Sequence, residues 1–329
     1  MRPLRTPSWF LSDRHATPES VFRDRRRLMR LAAGGAPLIA GGLLAPGHGL
    51  AQAGAPTDDP TRGLYPVDRN ESYSAARDLT DEELAVTYNN YYEFGSSKTI
   101  WRKAQDLPIR PWTVRFDGLV ERERDVDIDD LIRRMPLEER VYRLRCVEAW
   151  AMTVPWSGFP LAKLIDFAAP LADARYVVMT TFEMPDVATG QRASWYPWPY
   201  VEGLTLAEAR NELAFLATGL YGKPLPKQNG APLRLVTPWK YGFKSAKGLV
   251  RFTFTKEMPT TFWAEVAGHE YGFWANVNPD VDHPRWSQAE ERVLGEDRKV
   301  PTRLYNGYAA QVADLYEPLK AEYGNALYR

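Results

Sequence analysis

Cys146 is the only cysteine among 329 residues. A chain with one thiol cannot cross-link itself, so its fold must be held by burial and hydrogen bonding. The thiol is then a buried inert side chain, an intermolecular linker, or a retained reactive or metal-binding group. The apolar share of 44% is ordinary for a globular chain and is enough for a sizeable core.

The N-terminus reads as an export signal and not as fold. Asp24-Arg25-Arg26-Arg27-Leu28-Met29-Arg30 has the twin-arginine pattern, residues 31–45 are uncharged and rich in Ala, Gly and Leu, and Ala51-Gln52-Ala53 is a small-x-small cleavage site. A membrane anchor is the alternative, but the segment is rich in Gly and Pro and short of the about 20 apolar residues of a span. The expected division is a twin-arginine signal peptide over 1–53 and a single domain over 54–329, exported folded by the twin-arginine translocase to the periplasm. Removing 1–53 leaves 34 Lys and Arg against 39 Asp and Glu, a formal charge near −5. A mildly acidic chain offers no electrostatic case for nucleic acid.

The remaining chain alternates short patterns. Residues 54–79 read as an extended arm, and Thr80-Asp81-Glu82-Glu83 as a capping box opening a helix. Residues 112–116, 141–147, 176–181, 233–236 and 250–255 read as strands, 129–135 as a short helix, and 213–218 as either. Pro160 suits a helix start with Leu161, Leu164 and Ile165 inward. Many short strands with few short helices predict an α+β fold with mixed sheets, not βαβ units.

Most familiar catalytic patterns are missing: G-x-S-x-G, H-E-x-x-H, the P-loop, G-x-G-x-x-G and C-x-x-C-H. Only His269 and His283 follow the leader, which argues against a multi-histidine metal centre. Alternation over 141–147 puts Tyr142, Leu144 and Cys146 on one strand face and Arg143 and Arg145 on the other. Cys146 then ends a strand, where it is either a small core residue or a thiolate for a soft or redox metal. Glu148, two residues on, shares its side: a solvated acid, or a proton donor whose carboxyl partial burial pushes up. In the basic stretch 234–247, Pro238 and Gly242 hold the cations in turns, and Arg234, Lys244 and Lys247 are expected to converge on a phosphate; a solvated basic loop is the alternative.

Taken together, Tyr88-Asn89-Asn90-Tyr91-Tyr92-Glu93-Phe94, Arg145-Cys146-Val147-Glu148-Ala149-Trp150, Val154-Pro155-Trp156-Ser157-Gly158, Gly230-Ala231-Pro232-Leu233-Arg234-Leu235-Val236, Trp239-Lys240-Tyr241-Gly242-Phe243-Lys244 and Asp282-His283-Pro284-Arg285-Trp286-Ser287-Gln288 resemble the sulfite-oxidase-type molybdopterin family. Within it they resemble the branch that reduces methionine sulfoxide. The resemblance covers essentially all of the chain after the leader. It implies a sulfite-oxidase-type molybdopterin-binding domain carrying Mo-molybdopterin, one molybdenum and one pterin, with Cys146 as the single protein thiolate on the metal. It implies that Asn89, Tyr92, Glu93 and Thr181 line the cofactor, Thr180 being one step from Thr181. Asn229 and Arg234 would hold the pterin and its phosphate, and Ser245, Ala246 and Lys247 would close the phosphate end with backbone N–H groups and a lysine. Glu148 and Trp286 would stand near the open face of the metal, Glu148 with a catalytic role. It further implies oxidised periplasmic proteins as substrates and a membrane haem-containing electron-donor subunit drawing on quinols. A sulfite dehydrogenase, or a non-catalytic exported binding protein, remains open at this point.

Overall fold

In a computed structural model, residues 59–296 and 298–329 are described. The expected leader 1–53 and the first residues of the arm lie outside them. The apolar–polar alternations become strands: β1 (Thr113–Gly118), β2 (Arg124–Asp127), β3 (Glu138–Arg145), β4 (Trp150–Pro160), β5 (Tyr176–Thr181), β6 (Val201–Thr205), β7 (Phe215–Leu220), β8 (Lys223–Pro224), β9 (Arg234–Val236), β10 (Leu249–Thr255), β11 (Glu290–Val293) and β12 (Lys299–Pro301). They form two mixed sheets. One has the order β2-β1-β10-β5-β6, with β1 parallel to β10; the other runs β12-β11-β4-β7-β8, with β3 added to β4, β9 added to β7, and β11 parallel to β4.

The ambiguous run at 213–218 resolves as strand β7, completely buried between β4 and the short strands β8 and β9. Strand β4 has no counterpart among the expected elements. Pro155 and Gly158 argue against a central strand, yet β4 is central and almost wholly buried. Gly158 falls at a register shift against β7, where a Cβ would collide with the Leu216 backbone; a bulge needs a glycine there.

Helices are short and serve as covers. Leu161–Ala168 buries Leu161, Leu164, Ile165 and Ala168, with Pro160 at its N-cap, just before its first turn. Ile128–Arg134 is capped by the Asp127 carboxylate. The helix Glu82–Thr87 opens differently from expectation: Asp81, not Thr80, is its cap, accepting from the Glu83 N–H at 2.8 Å. Thr80 is buried and its hydroxyl accepts from the Thr153 N–H at 3.0 Å, so sheet contact wins it from the helix. A true capping box stands at Thr205 and Glu208. The described part of the arm runs along β3, with Arg69 bridged to Glu139 and Tyr73 edge-on to Tyr142. Among the described residues no helix is long and apolar enough to cross a membrane.

Two connections matter for chemistry. The turn 146–149 joins β3 to β4 as the tip of a hairpin. The segment 237–248 leaves β9 in one sheet and enters β10 in the other.

Candidate active site

The hairpin tip is held on three sides. The Cys146 N–H donates to Trp150 O at 2.9 Å, the Ala149 N–H to Cys146 O at 3.0 Å, and Ala149 adopts φ +62°, a conformation costly for a residue with a Cβ. From the C-terminal loop, Trp286 Nε1 and Gln288 Nε2 both donate to Val147 O, at 2.8 and 2.9 Å. Behind the tip, buried Arg145 pairs with Glu291 at 3.1 Å, donates to Gln288 Oε1 at 2.8 Å and also reaches Cys146 O. Alternation placed Arg145 on the far face correctly. The strand stops at Arg145, so Cys146 is the first residue of the turn, not the last of the strand.

Cys146 opens into a cleft of about 360 Å³. Its lining includes Asn89, Asn90, Tyr92, Glu93, Glu148, Asn229, Arg234, Ser245, Ala246, Lys247 and Trp286. The expected residues therefore meet around one space, except Thr181 and Lys244. Thr181 lies one layer behind, its hydroxyl donating to Glu93 Oε1 at 3.2 Å; strand alternation turns Thr181 inward and leaves Thr180 half-buried on the other side.

Around the thiol the polar groups are tied together. Glu148 Oε2 lies 3.8 Å from Cys146 Sγ, receives Trp150 Nε1 at 3.0 Å and Asn90 Nδ2 at 3.1 Å, and pairs with Lys98. Asn90 Nδ2 is 3.6 Å from Sγ, and its amide oxygen also accepts from Lys98. Burial pushes the Glu148 carboxyl up, but the hydrogen bonds from Lys98, Trp150 and Asn90 outweigh it and hold the carboxyl below its ordinary range. This corrects the expected raised proton donor: Glu148 is an ionised, pinned carboxylate. Burial, and then the neighbouring Glu148 charge, pushes the Cys146 thiol up to about 12. Asn90 and Lys98 carry this geometry and were not singled out from the sequence. The repeated Asn at 89–90 was the available signal; Lys98, in a polar loop, gave none.

The remaining lining carries two cations, Arg234 and Lys247, and one buried acid, Glu93, that acts on Lys247 without a salt bridge between them. Buried Arg234 donates to the carbonyls of Asn229 at 2.9 Å, Leu235 at 3.3 Å and Ser245 at 3.4 Å, and its guanidinium lies 4.7 Å over Trp156. Burial lowers its pKa to about 10. Lys247, paired in a bridge with Arg234, sits over the Tyr91 ring. Burial and then Arg234 push its ammonium down, while burial pushes nearby Glu93 up. Gly230, at φ +107°, lets this corner close: a Cβ there would stand 2.9 Å from Lys247 Cβ and 3.0 Å from Arg234 Cβ. Lys244 does not join them. It is completely buried, 2.5 Å from Glu202, and donates to Gly203 O at 3.0 Å, because a lysine turned into the core needs a carboxylate. The N–H groups of Ser245 and Ala246 are also committed, to Gly242 O and Lys244 O at 3.1 and 3.0 Å. The positive charge of that segment therefore comes from the Lys247 side chain, not from those two amides.

Three observations test whether these residues suit a molybdenum–pterin group. The amide oxygens of Asn89 and Asn229 are buried without a partner, both Nδ2 groups being spent on Ala85 O; a pterin supplies N–H donors for such acceptors. Arg234 and Lys247 have no ion-pair carboxylate among the described residues, so an anion such as a phosphate completes them. Cys146 is a soft ligand, and among the described residues no cluster of three His, Cys, Asp or Glu side chains competes for a metal. The donor set fits the group.

Comparison with known proteins agrees with that chemistry. Residues 103–263 match the family described as "Oxidoreductase molybdopterin binding domain". The chain is 47% identical over 309 residues to "Protein-methionine-sulfoxide reductase catalytic subunit MsrP" of Xanthomonas axonopodis pv. citri (strain 306), covering 91% of this chain and 93% of that protein. It is 47% identical over 305 residues to the protein of the same name from Burkholderia mallei (strain ATCC 23344), covering 91% of each. It is 46% identical over 320 residues to that of Xanthomonas campestris pv. campestris, covering 95% of each. A solved structure, the sulfane dehydrogenase SoxCD from Paracoccus pantotrophus, overlaps 46% of this chain and 40% of its own at 18% identity and a TM-score of 0.39, too little to add to the family match. With almost half its residues identical across more than nine-tenths of its length, this chain belongs to the MsrP family of molybdopterin-binding oxidoreductases.

Proposed function

We propose that this protein reduces methionine sulfoxide, free or in proteins, to methionine on a molybdenum–pterin cofactor. One observation carries the choice of substrate. The polar groups at hydrogen-bond range of Cys146 and Glu148 are the neutral Asn90 amide and Trp150 indole, the Glu148 carboxylate itself and the lysine that balances it. A sum near zero suits a neutral sulfoxide better than sulfite, a small anion that a cluster of arginines would hold. Reduction consumes two electrons and two protons, breaks the S–O bond and releases a thioether and water. When bound, the cofactor supplies two-electron oxygen-atom transfer. The chain supplies the rest. Cys146 would be the protein thiolate on the metal, its backbone fixed by the tip hydrogen bonds. Lys98, Asn90 and Trp150 hold the Glu148 carboxylate in place beside it. Arg234 and Lys247 would hold the anionic end of the pterin, and the unpartnered amide oxygens of Asn89 and Asn229 would accept from its N–H groups.

The finer reading concerns place and partner. The twin-arginine run at 24–30 supports folded export with residues 1–53 as leader and the periplasm as destination. Methionine sulfoxide is a reversible lesion, and oxidised periplasmic proteins are then the substrates. The relatives are named catalytic subunits, which implies a partner subunit. A membrane haem protein of MsrQ type, drawing on quinols, suits the electron requirement, since the chain has no C-x-x-C-H.

The test is molybdenum and pterin analysis of the purified protein, followed by turnover with an artificial reductant. Cys146→Ser should lose sulfoxide turnover while keeping the fold and much of the pterin, because a hydroxyl is a poor soft-metal ligand. Wild-type turnover in the variant, or sulfite oxidation in place of sulfoxide reduction, would overturn the reading.

A further inference from the structure

The cleft continues outward as a run of aromatic rings. Tyr92 in the lining packs edge-on against Trp263 at 4.8 Å and against Tyr196 at 6.3 Å. Trp263 in turn meets Tyr271 at 5.2 Å. Tyr196, outside the lining, lies 6.0 Å from Trp195 and 5.7 Å from Trp198. Trp195 closes the run with 77% of its surface exposed. A large ring left in water at the end of a packed aromatic series is the kind of exposure that marks a contact surface.

We propose that this run is a docking shelf for an extended segment of substrate polypeptide whose oxidised methionine occupies the cleft. The proposal rests on the reading of the site as a sulfoxide reductase. The shelf is continuous with the lining through Tyr92, so a chain leaving the reacting side chain meets it directly. Two ring-to-ring steps of 6.3 and 6.0 Å separate Tyr92 from Trp195. Extended backbone advances about 3.3 Å per residue, so the shelf matches roughly three to four residues of substrate. The segment Trp195-Tyr196-Pro197-Trp198-Pro199-Tyr200 carries no charge. Trp and Tyr offer large contact area at small entropic cost and tolerate varied sequence. That is the chemistry needed to bind many unrelated segments that share only an oxidised methionine. Free methionine sulfoxide has no flanking residues to span the two ring-to-ring steps from Tyr92 to Trp195.

The experiment compares wild-type holoenzyme with Trp195→Ala, using an artificial reductant so that no protein donor is involved. Substrates are free methionine sulfoxide and a nine-residue peptide with a central methionine sulfoxide. An exposed ring can be truncated without disturbing the core. The expected result is about a tenfold loss of kcat/KM for the peptide, as for a binding residue of moderate importance, carried by KM. Free methionine sulfoxide should stay within about twofold, and Trp195→Phe should restore most of the peptide effect. An unchanged peptide KM, or an equal loss for both substrates, overturns the shelf while leaving the functional reading intact. If wild-type holoenzyme reduces neither substrate, the functional reading fails and the shelf fails with it.

Discussion

Two pairs of cations from one short stretch have opposite fates. Lys240 and Lys244 are completely buried and each meets a buried glutamate, Glu208 at 2.6 Å and Glu202 at 2.5 Å. Among the described residues Arg234 and Lys247 have no carboxylate at salt-bridge distance, although buried Glu93 acts on Lys247 from farther off. Lys240 is further satisfied by Trp274 O at 2.6 Å and Asn276 Oδ1 at 3.0 Å, while Glu208 takes the Tyr316 hydroxyl at 2.6 Å and caps the helix Leu206–Arg210. The difference teaches how to separate a structural charge from a binding one. Burial of a cation is costly at Lys240, Lys244 and Arg234, while Lys247 is half-buried. Where the fold itself supplies the anion, the pair belongs to the architecture; where it does not, the missing anion is a ligand.

The largest effect that tests this contrast is Glu208→Gln. It strands the Lys240 ammonium in the core, and the expected loss is about 3–5 kcal/mol of stability, read from urea unfolding of cofactor-free protein. A loss below about 1 kcal/mol would show that Lys240 escapes to water or deprotonates, and would break the contrast.

Next in size is Arg234→Met. In cofactor-free protein it should cost no more than about 1–2 kcal/mol, since removing a buried charge that no salt bridge balances offsets much of the loss of its hydrogen bonds to the carbonyls of Asn229, Leu235 and Ser245. Cofactor retention should weaken by about 10²-fold, the scale of a lost charged hydrogen bond of roughly 2–3 kcal/mol. Pterin content after dialysis reads that loss. Destabilisation as large as that of Glu208→Gln would make Arg234 a structural charge.

The smallest effect compares buried pairs with a sheet-surface cluster. Buried Asp117 accepts from Arg115 at 2.9 Å, Arg251 at 2.8 Å and Thr253 at 2.6 Å. Burial pushes its carboxyl up, but these hydrogen bonds, with Arg251 first, win and hold it below the ordinary value. A carboxyl lowered in the native state contributes stability that is complete above its unfolded pKa near 4 and is lost as pH falls through its native value. Both arginines are about half exposed and screened, so Asp117→Asn should cost no more than about 1 kcal/mol at neutral pH. The difference in Tm between wild type and variant should shrink as pH is lowered below 4. A difference that persists at acid pH would assign the effect to packing.

Much of the site was legible because its residues cluster in short motifs. The loop 89–93, the hairpin tip at Cys146 and the corner at Asn229 and Arg234 all reach the cleft. What failed did so for tertiary reasons. Thr80 looked like a cap but bonds Thr153, and Lys244 looked like a phosphate ligand but bonds Glu202. Strand β4 was hidden by Pro155 and Gly158, whose bulge makes sense only against β7. Glu148 looked like a raised acid because Lys98, fifty residues earlier, gave no sign of reaching it.

By itself, the sequence determined the class of fold, through short alternating strands and a single thiol that excludes internal disulfides. It also determined which segments carry the chemistry, because their residue types are scarce and ordered along the chain. Only the tertiary structure decided the charge state and partner of each group, because solvation and pairing depend on neighbours far away in the chain. Lys240, Lys244 and Lys247 are the same residue type within eight positions. Which of them is left without a salt-bridge partner, facing the cleft, follows from how segment 237–248 crosses between the two sheets.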